Sequence, residues 1–554
     1  MTRRLWLLIA VIALALGLRI YHLAQVPVSL YYDEVDYGYQ ARSLIATGHD
    51  YRGELSPFFV HSFNDIRTPI PAYLMVPTTL FTHTPEIQVR LPFAILGTLT
   101  TALAFLLMYT WTKHYSLALT TAVVFVFSPW QLQFSRFSHE VTTLAPFFLL
   151  GLILFFRFLA SHRFLQFLAA VLFIATTTYT YRTMSLFAPL TLVLLTVLYY
   201  RPVLALGGKK LILAGLVAAT LILPFLYFTT KGAPDTPRIQ QLAITSDPEV
   251  PIWVQRHREV DSSDFNSPVI GKTATWWSYF FHNKPLSWTT KFVNNYLHVF
   301  STDFLFLQGD PNPRHSISGR GELYLMDVAA VFVGLVFLLQ RFHTPARRWL
   351  TIWLFLAPIP AALTSDGTAH AARLFIFSLP LLFTVSLGWW QIMTRLSHRV
   401  WPAVGLVWIL SVGFYFHRYY THYPIESSRW WGYGFKQSFQ DIAQLQSQFS
   451  RVVMTPTKDP PIPYLLFWSH IPPKLAQEYG TNFSSSHPGV LTKYVVQDNI
   501  KITTLKPDTL YLVSTTEFPV DYRDPSKIPP SITLHSIIKY PDNEIAFYLL
   551  SLKK

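Results

Sequence analysis

The chain of 554 residues contains no cysteine, which removes disulfides, cysteine-ligated zinc and thiol catalysis together. Any part of it that stands in water must hold by ordinary packing. Charge is scarce too: only 13% of residues are Asp, Glu, Lys or Arg, where a soluble domain carries nearer a quarter. There is no internal repeat and no low-complexity tract. Basic residues occur as short scattered clusters rather than a long stripe interleaved with aromatics. The net charge of +14 therefore does not signify a nucleic-acid partner.

What is abundant is apolar surface. Hydrophobic residues make up 51% of the chain and aromatics 16%, and mean hydropathy is positive. The composition predicts an α-helical polytopic membrane protein embedded in a lipid bilayer. Apolar runs near the ~20 residues needed to cross a bilayer fall at Leu5–Leu23, Leu91–Trp111, Leu117–Trp130, Val141–Phe156, Phe164–Tyr179 and Met184–Tyr200. Others follow at Leu211–Phe228, Leu323–Leu339, Leu350–Leu363, Leu374–Trp390 and Val400–Phe416, about eleven in all. Thr2-Arg3-Arg4-Leu5 resembles a twin-arginine export signal. The apolar run behind it is too long and lacks a small-residue cleavage site, so the arginines read as a cytoplasmic anchor.

Charge orients these spans. With the N-terminus inside, the cytoplasmic turns are Thr112–Ser116, Arg157–Arg163, Arg201–Lys210, Gln340–Trp349 and Thr394–Arg399. Each carries Lys or Arg and none carries Asp or Glu, while the carboxylates fall in the opposite set of segments. The expectation is a multi-pass cytoplasmic-membrane protein with a cytoplasmic N-terminus and an extracytoplasmic C-terminal domain.

Two large segments lie outside, Val26–Arg90 and Lys231–Glu322. Prolines in the first, as in Asn64-Asp65-Ile66-Arg67-Thr68-Pro69-Ile70-Pro71-Ala72-Tyr73, forbid one continuous helix and predict short helices along the membrane surface. Trp276, Trp277, Trp288 and Tyr296 in the second predict an ordered, interface-lying lid. From about Tyr423 the composition turns soluble. An amphipathic helix at Phe435–Phe449 and strands at Arg451–Thr455, Leu510–Thr515, Leu534–Tyr540 and Glu544–Leu550 predict a small α/β domain over 423–554, following a membrane domain over 1–422. Asn482-Phe483-Ser484 fits a glycosylation acceptor triplet.

The chemistry gathers at Tyr31-Tyr32-Asp33-Glu34-Val35-Asp36-Tyr37-Gly38, three carboxylates in four residues behind the first span. A solvated loop is the bland alternative. That face of the membrane has no ATP or nucleotide sugar, so a group transferred there arrives on a lipid phosphate. A carboxylate there can take the proton of an acceptor hydroxyl or amine as general base. If Asp33 and Asp36 begin a surface helix they share a face, and Glu34 points elsewhere. Glu140, beside His139 at the start of a membrane helix, is costly there without a partner or a task. Arg67 and Arg90 are candidates for bidentate phosphate binding, with interface anchoring as the alternative. Arg320 with Arg314 and His315, and His370 with Arg373, are further cationic candidates. No His-x-x-x-His spacing marks a metal site.

The run Arg19, Asp33-Glu34, Tyr37-Gly38, Ala41-Arg42, Thr47-Gly48 and Arg90-Leu91-Pro92 resembles the GT-C glycosyltransferases that use polyprenyl-phosphate sugars. Protein O-mannosyltransferases and lipid A aminoarabinose transferases are of this kind. Arg67-Thr68-Pro69-Ile70 stands where that family usually has Lys-Pro-Pro-Leu, Glu140 where it usually has Asp, and His370–Arg373 matches a late His-Ala-x-Arg pattern. The resemblance covers roughly the first 160 residues well. It implies a GT-C-like fold, a polyprenyl-phosphate-linked sugar donor and an extracytoplasmic acceptor. It further implies Asp33 as general base, with Glu34 and Glu140 in support. Arg67 would then meet the lipid phosphate, joined by Arg90, Arg320, His370 and Arg373. Tyr32, Asp36, Tyr37 and His139 are the candidates for acceptor or sugar binding. No cofactor is implied, and a divalent cation (Mg or Mn) stays open. Two other readings are weighed, an O-antigen ligase or polymerase and a lipid-linked sugar transporter or flippase. The early acidic motif disfavours the first, and the near-absence of charge within the spans disfavours the second.

Overall fold

The structure is a computed structural model describing residues 3–55, 59–62, 66–231 (228–231 as backbone only), 242–261, 276–340, 344–457, 459–478, 493–498, 500–515, 518 and 521–553. Asn64-Asp65 and the triplet Asn482-Phe483-Ser484 lie outside the described residues. The chain forms two compact units: Met1–Thr101 with Gln131–Thr143 and Gly405–Lys554, and Ala102–Trp130 with Leu144–Val404.

In the first unit, α1 (Arg3–Ile20) leads through an irregular stretch to α2 (Tyr32–Thr47). Gly48, at φ +75°, ends α2 by donating its N–H to the Leu44 carbonyl, a left-handed position that glycine takes without steric cost. A two-residue ladder follows, β1 (Val60–His61) antiparallel to β2 (Ile66–Arg67). Next come α3 (Ile70–Phe81), with Pro71 in its first turn where its missing N–H costs nothing, and α4 (Pro85–Thr112). The segment thus forms the separate helices α2 and α3 and not one continuous helix.

The C-terminal part of this unit holds a five-stranded sheet in the order β4-β3-β5-β7-β6. Its strands are β3 (Arg451–Met454), β4 (Tyr494–Val496), β5 (Thr509–Ser514), β6 (Ile532–Lys539) and β7 (Ile545–Leu552). β3 runs parallel to β4 and β5, and β7 runs antiparallel to β5 and β6. The 540–544 turn carries Asn543 at φ +68°, which asparagine tolerates. Helix Phe435–Leu445 buries Phe435, Ser438, Phe439 and Ile442, the spacing of one helical face.

Several elements here escaped the sequence pattern, helix Pro473–Glu478 among them. Strand β4 is too short to alternate, and helix Pro461–Trp468 opens on two prolines that read as breakers but fit a first turn. This helix lies against α2. A Cβ on Gly38 would stand 2.6 Å from the Phe467 ring and 2.9 Å from Val89. Arg42 donates to the Phe467 carbonyl at 2.7 Å and covers its ring at 3.9 Å. Val35, Tyr37, Tyr39 and Ala41 of α2 share one core with Phe435, Phe439, Phe467, Leu510 and Phe547. The sheet and α2 are thus covered by a common hydrophobic core.

In the second unit the apolar runs fold as helices, among them α5 (Tyr115–Phe127), Phe164–Thr176, Met184–Leu198, Gly208–Lys231, Asp327–Gln340 and Phe375–Arg395. Over the described residues of the chain, four helices are long and apolar enough to cross a membrane, or five if α5 and the bent α6 (Pro129–Ser135) count as one. Several of the expected spans are thus shorter helices, Met184–Leu198 and Asp327–Gln340 among them. The expected span Leu350–Leu363 is broken into Pro345–Leu356 and Ile359–Ala362, with Pro358 and Pro360 at the break. The run from Leu323 becomes helical only at Asp327, whose carboxylate accepts the Tyr324 N–H at 3.1 Å and the Trp389 indole N–H at 2.7 Å. Cβ atoms on Gly334 and Gly388 would lie 2.1 and 1.8 Å from the carbonyls of Thr384 and Ala330. Only glycine permits the helices Asp327–Gln340 and Phe375–Arg395 to approach so closely.

Candidate active site

The first turn of α2 sorts its carboxylates by direction. Glu34 points into the protein and is fully buried, receiving Arg90 through Nε at 2.9 Å and Nη2 at 3.1 Å. It also accepts the Ser138 N–H at 3.1 Å and the Tyr31 N–H at 3.3 Å. The other donors of Arg90 go to the carbonyls of Leu23 (3.1 Å), Pro27 (2.7 Å) and Ser29. All five guanidinium N–H groups are thereby spoken for. Arg90 is thus the buried counterion of Glu34 and the clamp of the 23–29 stretch.

Arg136 repeats the device. It is buried and donates to the carbonyls of Leu18, Arg19, Tyr21 and Val26, at 2.6, 3.0, 2.7 and 3.1 Å, and to the Tyr419 hydroxyl at 3.1 Å. It thus takes up carbonyls at the end of α1. A lone arginine between Ser135 and Phe137 gives no sequence signal for such a role.

Asp33 and Asp36 lie on the other face of α2, and both meet Arg67. Arg67 Nη2 is 2.6 Å from Asp33 Oδ1, its Nε is 3.1 Å from Asp36 Oδ2, and its Nη1 is 3.8 Å from Glu140 Oε1. Tyr32 and Tyr37 flank the guanidinium, with ring centres 5.7 and 5.5 Å from its carbon. The Tyr37 hydroxyl bonds to the Glu140 carboxylate and lies 3.1 Å from the Thr68 carbonyl. α7 (Glu140–Ser161) starts at this point, which presents Glu140 from the first turn of a helix, where negative charge is favoured.

Burial alone would lower the Arg67 pKa, but Asp33, Asp36, Tyr37 and Glu140 together outweigh it and hold the group above its ordinary value. Burial, then the Glu140 charge, pushes the Tyr37 phenol well above its usual range. One cation among three carboxylates leaves the cluster with an excess of negative charge. Side-chain exposure is 32% for Asp33, 16% for Glu140 and 1% for Asp36. Arg67, the candidate for a lipid phosphate, is paired here with these acids.

His139 accepts the Val141 N–H at 3.2 Å and packs edge-on against Phe134 and Phe137. Arg67 itself is placed through β1. His61, on the strand opposite, receives Gln40 at its carbonyl and meets Asp50 Oδ2 through its N–H at 3.1 Å and its Nδ1 at 2.9 Å.

The remaining expected residues belong to the second unit. Arg373 grips Asp366 through both terminal nitrogens and Thr364 Oγ1 at 2.8 Å. Arg320 lies in a loop folded tightly on itself: a Cβ on Gly309 (φ +72°) would stand 2.4 Å from the Arg320 carbonyl. In the same loop Asp310 and His315 come together with His370, their ligand atoms within 4.8 Å of one another. Burial, then His315 and Arg373, push the His370 pKa down to about 3. Sequence spacing alone gives no sign of this trio, because its members are 5 and 55 residues apart.

No protein-family model matches the chain, and no curated protein sequence does. Solved structures similar to it include ArnT from Cupriavidus metallidurans bound to undecaprenyl phosphate, at 14% identity and TM-score 0.45, over 99% of this chain and 98% of that one. The Archaeoglobus fulgidus oligosaccharyltransferase AglB, in complex with an inhibitory peptide and a dolichol-phosphate, is similar at 14% identity and TM-score 0.49. That likeness spans 84% of this chain and 63% of the other. The Saccharomyces cerevisiae Pmt1-Pmt2 O-mannosyltransferase complex bound to the sugar donor is similar over 41% of this chain and 32% of that one, at 17% identity and TM-score 0.32. At TM-scores below 0.5 these likenesses carry no inference about chemistry.

Proposed function

We propose that this protein is an integral-membrane glycosyltransferase that moves a sugar from a polyprenyl-phosphate donor to an extracytoplasmic acceptor. The observation that carries the reading is the one-sided placing of Asp33. It is the most exposed carboxylate of a cluster whose other members are buried or nearly so, and Arg67 fixes one of its oxygens at 2.6 Å. A positioned carboxylate at a protein surface suits removal of a proton from an incoming nucleophile.

In this mechanism the acceptor hydroxyl or amine gives its proton to Asp33 as its oxygen or nitrogen attacks the anomeric carbon. The bond from that carbon to the phosphate oxygen breaks on the opposite side, and the polyprenyl phosphate leaves with the electron pair. The configuration at the anomeric carbon inverts. Asp36 and Glu140 hold Arg67, and Arg67 holds Asp33. Glu34 with Arg90 supports α2 from behind. In this reading 1–422 is the membrane-embedded catalytic part and 423–554 lies outside the membrane, with the N-terminus cytoplasmic.

The test incubates full-length protein with a cell-envelope extract that supplies the acceptor and a panel of undecaprenyl-phosphate hexoses and pentoses, following release of undecaprenyl phosphate. At least one donor is consumed by the wild type. Asp33→Asn slows its turnover by about 10²-fold or more and leaves donor binding unchanged. Undiminished turnover in that variant, or no consumption of any donor by the wild type, overturns the proposal.

A further inference from the structure

We infer that Asp310, His315 and His370 form a binding site for a single zinc-type divalent cation, with a fourth coordination position open to water or an anionic oxygen. The inference concerns ion binding and does not depend on the glycosyl-transfer reading.

Three observations carry it. First, the three side chains converge although they come from separate places: a loop after helix Lys284–His298 and the turn before helix Phe375–Arg395. Their ligand atoms lie within 4.8 Å of one another. His315 Nδ1 is 2.7 Å from Asp310 Oδ2, and the two imidazoles pack at 5.1 Å between centroids. A tetrahedral ion with bonds of about 2.0–2.1 Å needs its ligand atoms roughly 3.3 Å apart, so small side-chain rotations close the set.

Second, two of the three ligands are buried, Asp310 and His315 being under a tenth exposed, while His370 is only partly covered and leaves the site a side open to water. Buried carboxylate and imidazole groups in mutual contact are the arrangement that bound cations neutralise.

Third, the ligands are braced from outside. Asp310 accepts the Ala371 N–H at 2.7 Å and the Asn312 N–H at 2.8 Å. Its own N–H goes to the buried Glu322 carboxylate at 3.2 Å, and its carbonyl takes the Ser316 hydroxyl at 2.7 Å. Outer partners of this kind orient metal ligands.

The donor set names the ion. Two imidazoles and one carboxylate suit zinc and its neighbours, whereas Mg²⁺ asks for oxygen ligands and retained water. Three protein ligands are the number found where a fourth place is kept for an exchangeable oxygen. Bound there, the ion ties the 308–323 loop to the start of helix Phe375–Arg395.

The test takes full-length protein, purified in detergent on a tag without histidine, stripped with chelator and reloaded with Zn²⁺ alone. After gel filtration the wild type is expected to keep about one zinc per chain and to melt at a higher temperature than the stripped form. Co²⁺ in its place gives the visible absorption of a four-coordinate centre. His315→Ala/His370→Ala and Asp310→Asn weaken Zn²⁺ binding by at least about tenfold and lose the zinc-dependent melting shift, with gel filtration and helical circular dichroism reporting the fold. A wild type that retains no zinc overturns the inference whatever the variants do. So does zinc retention unchanged in the double variant.

Discussion

Glu34 and Arg90 form a bidentate ion pair, at 2.9 and 3.1 Å, that no solvent reaches. Its neighbours Asp33 and Asp36 turn the opposite way, to Arg67. Taking one member of such a pair away leaves the other as an unpaired buried charge. Glu34→Ala should therefore cost about 3–5 kcal/mol of stability, measured as a fall in melting temperature in detergent. A variant with an unchanged melting temperature that lost turnover alone would move Glu34 from support into the chemistry.

Gly38 makes a separate demand, because its α-carbon faces the Phe467 ring edge and Val89 with no room for a methyl group. Gly38→Ala should destabilise by about 1–3 kcal/mol through overpacking. Adding Phe467→Leu should restore part of the loss, a coupling of roughly 0.5–3 kcal/mol in a double-mutant cycle. Strict additivity would show that the two residues do not press on each other.

Arg67 meets Asp33 and Asp36 with different nitrogens of one planar fork. Arg67→Lys keeps the charge but not the fork. The donor turnover rate should fall by roughly 10²-fold, the order seen when a reacting group is misplaced by about 1 Å, with a melting temperature close to wild type. Steady-state assays that show a change in KM with kcat intact would point instead to direct contact with the donor.

Asp50 supplies a pH test. Burial alone would raise its pKa, but the His61 side chain and the N–H groups of Glu54 and His61 outweigh burial and hold it below the ordinary carboxylate value. A folded-state pKa below the unfolded one stabilises the protein above the unfolded value, near pH 4. That stability is lost as pH falls through the folded value. Asp50→Asn should therefore lower the melting temperature at pH 7, and the gap to wild type should narrow below about pH 4. A gap constant between pH 7 and pH 3 would exclude the linkage.

The sequence was most informative where a pattern is local. The i, i+3 spacing of Asp33 and Asp36 can be read within a few residues, and both carboxylates do meet Arg67. The strands β3, β5, β6 and β7 announced themselves by composition, and the 540–544 turn by its Pro-Asp-Asn. Span lengths were less legible. Proline pairs such as Pro358 and Pro360 break an apolar run that hydropathy averages as one.

Sequence by itself fixed that acids and tyrosines stand together behind α1, because helix periodicity and apolar runs act over one or two turns. Only the tertiary structure decided what each charge does. A guanidinium pairs with whichever carboxylate or carbonyl the packing brings within 3 Å, and the partners of Arg67, Arg90 and Arg136 lie 34, 56 and more than 100 residues away. The same holds for Asp310, His315 and His370, which only the folding of a tight loop against a distant helix end brings together.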